Sequence, residues 1–83
     1  MHTIYLKKTD FNFIKTVINI QDHIEFKSIK ELNNSQYEIK ITEAELISFA
    51  EICAHACDFI KSDKKAQRLD SIALMLEGYI DGL

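Results

Sequence analysis

The segment Cys53–Cys57, CAHAC, contains the residue types that bind zinc or that form a nucleophile and its general base. The surrounding sequence predicts a helix. Side chains two residues apart on a helix are separated by about 200° around the helix axis, so they point to nearly opposite sides. His55 therefore cannot share a metal ion or a proton with either cysteine. Cys53 and Cys57 share a face, but zinc normally takes four ligands. We interpret both cysteines as core residues and His55 as a surface residue, and we expect no metal.

Other catalytic patterns are absent from the sequence. Glu43 and Glu45 fall in the first turn of the predicted helix, where carboxylates interact favourably with the helix dipole without a catalytic role. The only glycines, Gly78 and Gly82, lie near the C-terminus, whereas phosphate-binding loops need glycines between a strand and a helix. There is neither a Gly-x-Ser-x-Gly elbow nor a His-Glu-x-x-His motif. We therefore expect a non-enzymatic protein that has no cofactor.

Length and composition indicate one globular domain, residues 1–83. The chain is 47% hydrophobic and 28% charged, which is typical of a folded protein rather than a disordered one. No apolar run approaches the roughly 20 residues of a membrane-spanning helix. The N-terminal segment also lacks the apolar stretch of a signal peptide. We expect a cytoplasmic protein with no membrane contact and with reduced cysteines.

The net charge of −3 is unevenly distributed along the chain. Residues 1–40 carry six lysines and five acids, whereas residues 41–83 carry four basic residues and eight acids. Proteins that bind phosphate backbones use clusters of basic residues. The acidic C-terminal half therefore favours a basic partner, and nucleic acid is not the favoured ligand.

The segment Thr42–Lys61 predicts the central helix. Thr42 and Glu45 have the spacing of a capping box. The predicted apolar face contains Leu46, Phe49, Ala50, Cys53, Ala56, Cys57 and Ile60, and Ile47, Ile52, Ala54 and Phe59 widen it. A helix this apolar is expected to be covered on more than one side.

A second long helix is predicted from a cap at Ser62-Asp63 to about Leu83. Its apolar residues recur with helical spacing, at Leu69, Ile72, Ala73, Leu76, Tyr79, Ile80 and Leu83. Gly78 lies inside this helix and costs about 1 kcal/mol relative to alanine.

Alternating apolar and polar residues predict three strands. The first is His2–Lys7, and a hairpin joins Ile24–Leu32 to Gln36–Thr42 through a turn at Asn33-Asn34-Ser35. A phase slip near Ser28 predicts a β-bulge. The segment 9–21 can be read as a helix or a strand, because helical spacing coexists with many β-branched residues. We favour a helix capped by Thr9 or Asp10, with an apolar face formed by Phe13, Ile14, Val17, Ile18 and Gln21.

These elements predict an α+β fold with the order β-α-β-β-α-α. The economical packing is a three-stranded, mainly antiparallel sheet with helices on one face. The predicted core comprises Ile39, Ile41, Leu46, Phe49, Cys53, Ile60, Leu69, Ile72 and Leu76.

Two polar strips follow the predicted helices with the spacing i, i+4, i+7, i+11. They are Glu51, His55, Asp58 and Ser62 on the first helix, and Asp70, Leu74, Glu77 and Asp81 on the second. Such strips are typical of a solvated outer face. A partner surface has the same layout, with an apolar centre and a charged rim. The predicted partner-binding residues are Glu51, Asp58, Asp70, Leu74, Glu77 and Asp81.

The sheet offers a competing surface. Tyr5, Lys7, Lys27 and Lys40 could bind nucleic acid, but Glu25, Glu31 and Glu38 are interleaved with them in the sequence. We interpret this face as an ordinary solvated one.

The function expected from these observations is that of a small acidic protein-binding module. In size, acidity and lack of catalytic motifs it resembles inhibitors of the immunity, antitoxin or anti-defence type, which occlude a larger partner. The alternative is a homodimeric regulatory or structural subunit, paired through Leu74, Met75 and Tyr79, with nucleic acid at the sheet.

Overall fold

The part of the chain that the structure describes forms three strands and four helices. The structure is a computed structural model that describes residues 1–32 and 35–83. The elements are β1 (His2–Lys7), α1 (Lys8–Val17), α2 (Ile20–His23), β2 (Ser28–Glu31), β3 (Gln36–Ile41), α3 (Glu43–Ala56) and α4 (Asp63–Asp81), with a 3-10 turn (Cys57–Phe59) after α3. The α+β class and the β-α-β-β-α-α order are confirmed, with α2 as an additional single turn.

The sheet is antiparallel throughout and has the order β1-β3-β2. Ile39 of β3 lies opposite Ile4 and Ile29, so these residues point to the same face. Ile4, Leu6, Ile39 and Ile41 are buried there, as the alternation predicted. The predicted turn at Asn33-Asn34 lies outside the described residues, whereas Ser35 has a left-handed φ of 65°.

The second strand is shorter than predicted. Residues 24–27 are not part of it, and only Ser28–Glu31 pairs with β3. The Lys27 amide donates to the Lys40 carbonyl at 2.9 Å, although Ser28 is the residue paired with Lys40. Two successive residues thus oppose one, which is the arrangement of a β-bulge and lies where the phase slip predicted it.

The ambiguous segment 9–21 is helical, but its predicted cap and its predicted length are wrong. Because α1 begins directly at the end of β1, its N-cap is Lys7, which makes no side-chain cap bond. The free Lys8 amide donates instead to the Ser35 carbonyl at 3.0 Å. Ile18 is extended, and this break lets the chain turn so that Ile20 is buried while Gln21 is exposed.

The central helix begins as predicted. The Thr42 hydroxyl accepts a bond from the Glu45 amide at 3.3 Å. Glu45, however, does not complete the capping box within the helix. Its carboxylate accepts from the Glu25 amide at 3.2 Å, so it ties the segment before β2 to the start of α3.

The helix α3 ends five residues earlier than predicted, at Ala56. The chain must reverse between residues 57 and 62 to bring α4 against α3, and Ser62 then caps α4 through the Lys65 amide. The residues of the last predicted helical turn therefore form this reversal instead of helix. Three of the residues predicted to widen the covered face are exposed: Ile47, Ala54 and Phe59.

The core lies between the sheet and the helices. Eight of the nine predicted core residues are buried, and Ile60 is half-buried against them. An aromatic chain crosses this core, because Phe26 makes edge-to-face contacts with Phe11 and with Phe49 at 5.7 and 5.6 Å between ring centres. The end of the predicted α4 stripe is wrong, since Leu83 is exposed beyond the helix end.

Candidate functional site

The outer face of α4 carries a continuous strip of exposed residues. Asp70, Leu74, Glu77 and Asp81, which we call the acidic strip, lie on one uninterrupted helix and are all exposed. Leu74 is 60% exposed. The acids that form ion pairs within residues 1–32 and 35–83 are Asp10, Glu25 and Glu31, so the three carboxylates of the strip are unpaired there. No lysine or arginine follows Arg68 in the sequence.

The matching strip predicted on the central helix does not form. Glu51 and His55 are on α3, but Asp58 lies in the 3-10 turn and Ser62 is the N-cap of the next helix. Four residues spread over three elements cannot follow one helical line. The prediction of a straight strip through Asp58 and Ser62 is therefore wrong.

Asp58 is instead brought close to the acidic strip. Burial raises the pKa of the Cys57 thiol, and the nearby Asp70 and Asp58 carboxylates raise it further. Both acids therefore lie near one sulfur, that of Cys57 in the 3-10 turn. Glu51 is placed differently, in the wall of an apolar groove described below.

The two cysteines are free thiols in an environment that suppresses reactivity. Burial, followed by the neighbouring Cys57, raises the pKa of the Cys53 thiol from 9.0 to about 12. The Cys57 sulfur lies 3.4 and 3.5 Å from the carbonyl oxygens of Cys53 and Ala66. Within the described ranges, no group of three or more His, Cys, Asp or Glu side chains is arranged to hold a metal ion.

An apolar groove of about 350 Å³ lies beside the end of α3. It is lined by Ile18, His23, Glu51, Ile52, His55, Ala56 and Phe59. Phe59 is 85% exposed, whereas a helix running to Lys61 predicts that it widens a covered face. The sequence does contain a sign that the helix ends earlier. If the helix ran to Lys61 and the next helix were capped by Ser62, no residues would remain for the chain to reverse direction between two packed helices.

The sheet has a second face that is exposed and polar. Residues opposite each other in the register point to the same side, which places Thr3, Tyr5, Lys7, Ser28, Lys30, Gln36, Glu38 and Lys40 together. We call this set the open sheet face. It differs from the predicted surface, because Lys27 precedes β2 and pairs with Glu25 there. Glu31 lies opposite Tyr37 on the core side and pairs with Lys8.

Tyr5 is held in position from the edge of the sheet. The Tyr79 hydroxyl accepts a hydrogen bond from the Tyr5 amide at 3.2 Å and lies 3.4 Å from the Tyr5 carbonyl oxygen, to which it can donate. These contacts occupy backbone groups on the free edge of β1, so they also oppose pairing with another strand at this point. The Tyr5 side chain remains 42% exposed.

Two further results bear on function. Over the residues that the structure describes, no helix combines the length and the apolar character needed to cross a membrane. Comparison with protein-family models, curated proteins and solved structures gives no match to this chain.

Proposed function

We propose that this protein is a non-enzymatic binding module that occludes a larger protein through the acidic strip of α4. The observation that carries the proposal is an exposed leucine, Leu74, surrounded by three carboxylates that have no ion-pair partner in the described part of the chain. An apolar centre with a charged rim is the usual layout of a protein interface. The free thiols suit a reducing compartment such as the cytosol.

The charge of the surface indicates the chemistry of the partner. Asp70, Glu77 and Asp81 contribute three negative charges on one helix face, and Asp58 extends this region at the start of α4. Such a field attracts a basic surface and increases the association rate at low salt. The partner is therefore expected to present lysine and arginine side chains around an apolar pocket for Leu74. Glu51 lies outside this region, and we expect its contribution to be minor.

The proposal is tested by capturing the partner with matched baits. The wild-type protein is compared with a triple variant, Leu74→Ala, Glu77→Lys and Asp81→Lys, in lysate of the native host, and bound proteins are quantified by mass spectrometry. We expect one basic protein to be enriched on wild type and lost on the triple variant. A bait carrying Lys7→Glu and Lys40→Glu is the control, because it reverses charge on the sheet rather than on α4 and should retain the partner.

Binding kinetics then separate the roles of charge and contact. The double reversal of Glu77 and Asp81 should slow association and flatten its dependence on salt. Leu74→Ala should increase the dissociation rate about tenfold, since burying a leucine contributes roughly 1.5–3 kcal/mol. If the reversals leave the association rate and its salt dependence unchanged, the acidic strip is not the binding surface.

The competing homodimer is distinguished by molar mass in solution. Leu74 and Met75 are exposed, but Tyr79 is half-buried and bonded to Tyr5, so one of the three residues expected to pair is already engaged. Light scattering at several concentrations should give the mass of one chain. A dimer that dissociates on Leu74→Ala would assign the acidic strip to self-association and contradict the proposal.

A further inference from the structure

We infer that the open sheet face binds a single-stranded nucleic acid, with Tyr5 stacking on a base and Lys7, Lys30 and Lys40 contacting the phosphates. This site lies on the side of the sheet away from the helices, and it goes beyond the protein-binding function proposed for α4. The inference depends on the register of the strands, because the register determines which charged residues lie together on the open sheet face.

The register removes most of the acid from this face. Sequence order interleaves Glu25, Glu31 and Glu38 with the lysines, but the register places Glu31 on the core side and Glu38 on the open side. Glu25 lies before β2 and is paired with Lys27. Three lysines and one glutamate leave the face with a formal charge of +2, although the whole chain carries −3. The open sheet face is therefore locally basic, although the chain as a whole is acidic.

The lysines of the open sheet face are also free to bind an anion. The cations that form ion pairs among the described residues are Lys8, Lys27 and Arg68, none of which belongs to the open sheet face. Lys7, Lys30 and Lys40 are exposed and have no ion-pair partner in the same ranges. A polyanion would therefore not have to displace an existing ion pair at any of the three.

The positions of the lysines surround the exposed tyrosine. Tyr5, Glu38 and Lys30 form one row across the sheet, and Lys40 and Lys7 lie in the rows before and after it. Strands about 4.8 Å apart and rows about 6.8 Å apart place the three lysine backbones roughly 8 to 14 Å from one another. One strand of nucleic acid crossing the face could thus contact successive lysines while a base lies on Tyr5.

The aromatic residue favours a single strand over a duplex or an acidic protein segment. Exposed aromatic side chains on an open sheet stack with unpaired bases, whose faces are accessible only when the strand is not in a duplex. Tyr5 is 42% exposed and its backbone is fixed by the Tyr79 hydroxyl. The stacking platform is therefore preorganised, and β2, β3 and β1 together supply the surrounding charge.

The inference is tested by fluorescence anisotropy with labelled oligothymidylate and oligouridylate as probes. We expect binding that weakens with salt, with a log–log slope of about −2 for three phosphate contacts on a single strand. Lys7→Glu with Lys40→Glu should weaken binding at least about tenfold, and Tyr5→Leu about tenfold through lost stacking. Glu38→Gln should strengthen it, because this change removes the only acid on the face.

The matched control is Lys61→Glu with Lys64→Glu, which changes the net charge equally at exposed positions off the sheet. It should weaken binding much less than the sheet reversal, with circular dichroism verifying the fold of every variant.

Absence of binding at about 100 μM protein in low salt, the weak limit of non-specific affinity, overturns the inference. So does equal weakening by the control. If poly-glutamate competes as well as unlabelled oligothymidylate and Tyr5→Leu has no effect, the occupant is an acidic protein segment instead. Because none of these variants changes a residue of the acidic strip, failure here leaves the acidic-strip proposal standing.

Discussion

Replacing Phe49 by alanine should remove a large part of the stability of this domain. Phe49 is fully buried and packs edge-to-face on Phe26, with ring centres 5.6 Å apart. A buried aromatic side chain removes about 150–250 Å² from water, which at about 25 cal/mol per Å² amounts to roughly 4–6 kcal/mol. Alanine retains a small part of this, so we expect a loss of about 3–5 kcal/mol.

The size of the loss matters because the domain is small. Stabilities of roughly 0.05–0.15 kcal/mol per residue give about 4–12 kcal/mol for a chain of this length. The variant should therefore melt at least about 12 °C below the parent, at 4 °C or more per kcal/mol for a small domain. Urea denaturation followed by circular dichroism gives the free energy of unfolding directly.

Phe59→Ala is the matched control for this experiment. It removes the same side chain from a residue that is 85% exposed, so it should change the free energy of unfolding by no more than about 0.5 kcal/mol. The helix predicted to run to Lys61 has Phe49 on its apolar face and Phe59 on a flank of that face, and it would cover both. Equal losses for the two variants, or an unchanged midpoint for Phe49→Ala, would refute the end of α3 at Ala56 and the packing derived from it.

Four further changes test other parts of the structure. Thr42→Ala should lower the free energy of unfolding by about 1 kcal/mol because the cap of α3 is lost, and Thr42→Ser should restore most of it. Gly78→Ala should raise it by about 0.5–1 kcal/mol, since a Cβ at this helical position meets nothing within 4 Å; destabilisation would show that the position is occupied. The raised pKa of Cys53, about 12 against 9.0, means that the folded state holds its proton more tightly. Stability should therefore be complete below about pH 9 and fall as the pH rises towards 12, and Cys53→Ala should reduce this fall. Elemental analysis of protein purified without added metal should find no stoichiometric zinc, and finding zinc would contradict the assignment of residues 53–57.

The segregation of charge explains how one small domain can present two unlike surfaces. The segments Ile41–Ile60 and Leu69–Leu83 contain no lysine or arginine, and they include all of α3 and much of α4. The unpaired lysines of the open sheet face lie on the other side of the sheet. A nucleic-acid strand and a basic protein would therefore not compete for the same residues, and the two sets of charge-reversal variants should act independently.

Local sequence patterns determined most of the fold. The alternation in His2–Lys7 and Gln36–Ile41 predicted the positions of β1 and β3 and their buried faces. In a half-buried strand with strict alternation, one set of alternate residues is apolar, and only that set can face the core. The Thr42 and Ser62 caps and the apolar spacing of α4 placed the helices, since these are interactions within a few residues of the chain. The acidic strip was also predictable, because α4 runs unbroken through all four of its residues.

The tertiary structure decided the features that depend on distant residues. The helix α3 ends at Ala56, and Phe59 is exposed, because α4 must fold back onto α3, which no spacing within the helix encodes. The Glu45 carboxylate accepts a hydrogen bond from the Glu25 amide instead of completing the cap of its own helix, because the segment before β2 lies next to it. The strand pairing puts Glu38 and Glu31 on opposite faces of the sheet, so only the register could separate these two acids. Hydrophobic periodicity indicates which side of a single helix or strand is buried. The residues that make up a surface depend on which helices and strands meet there.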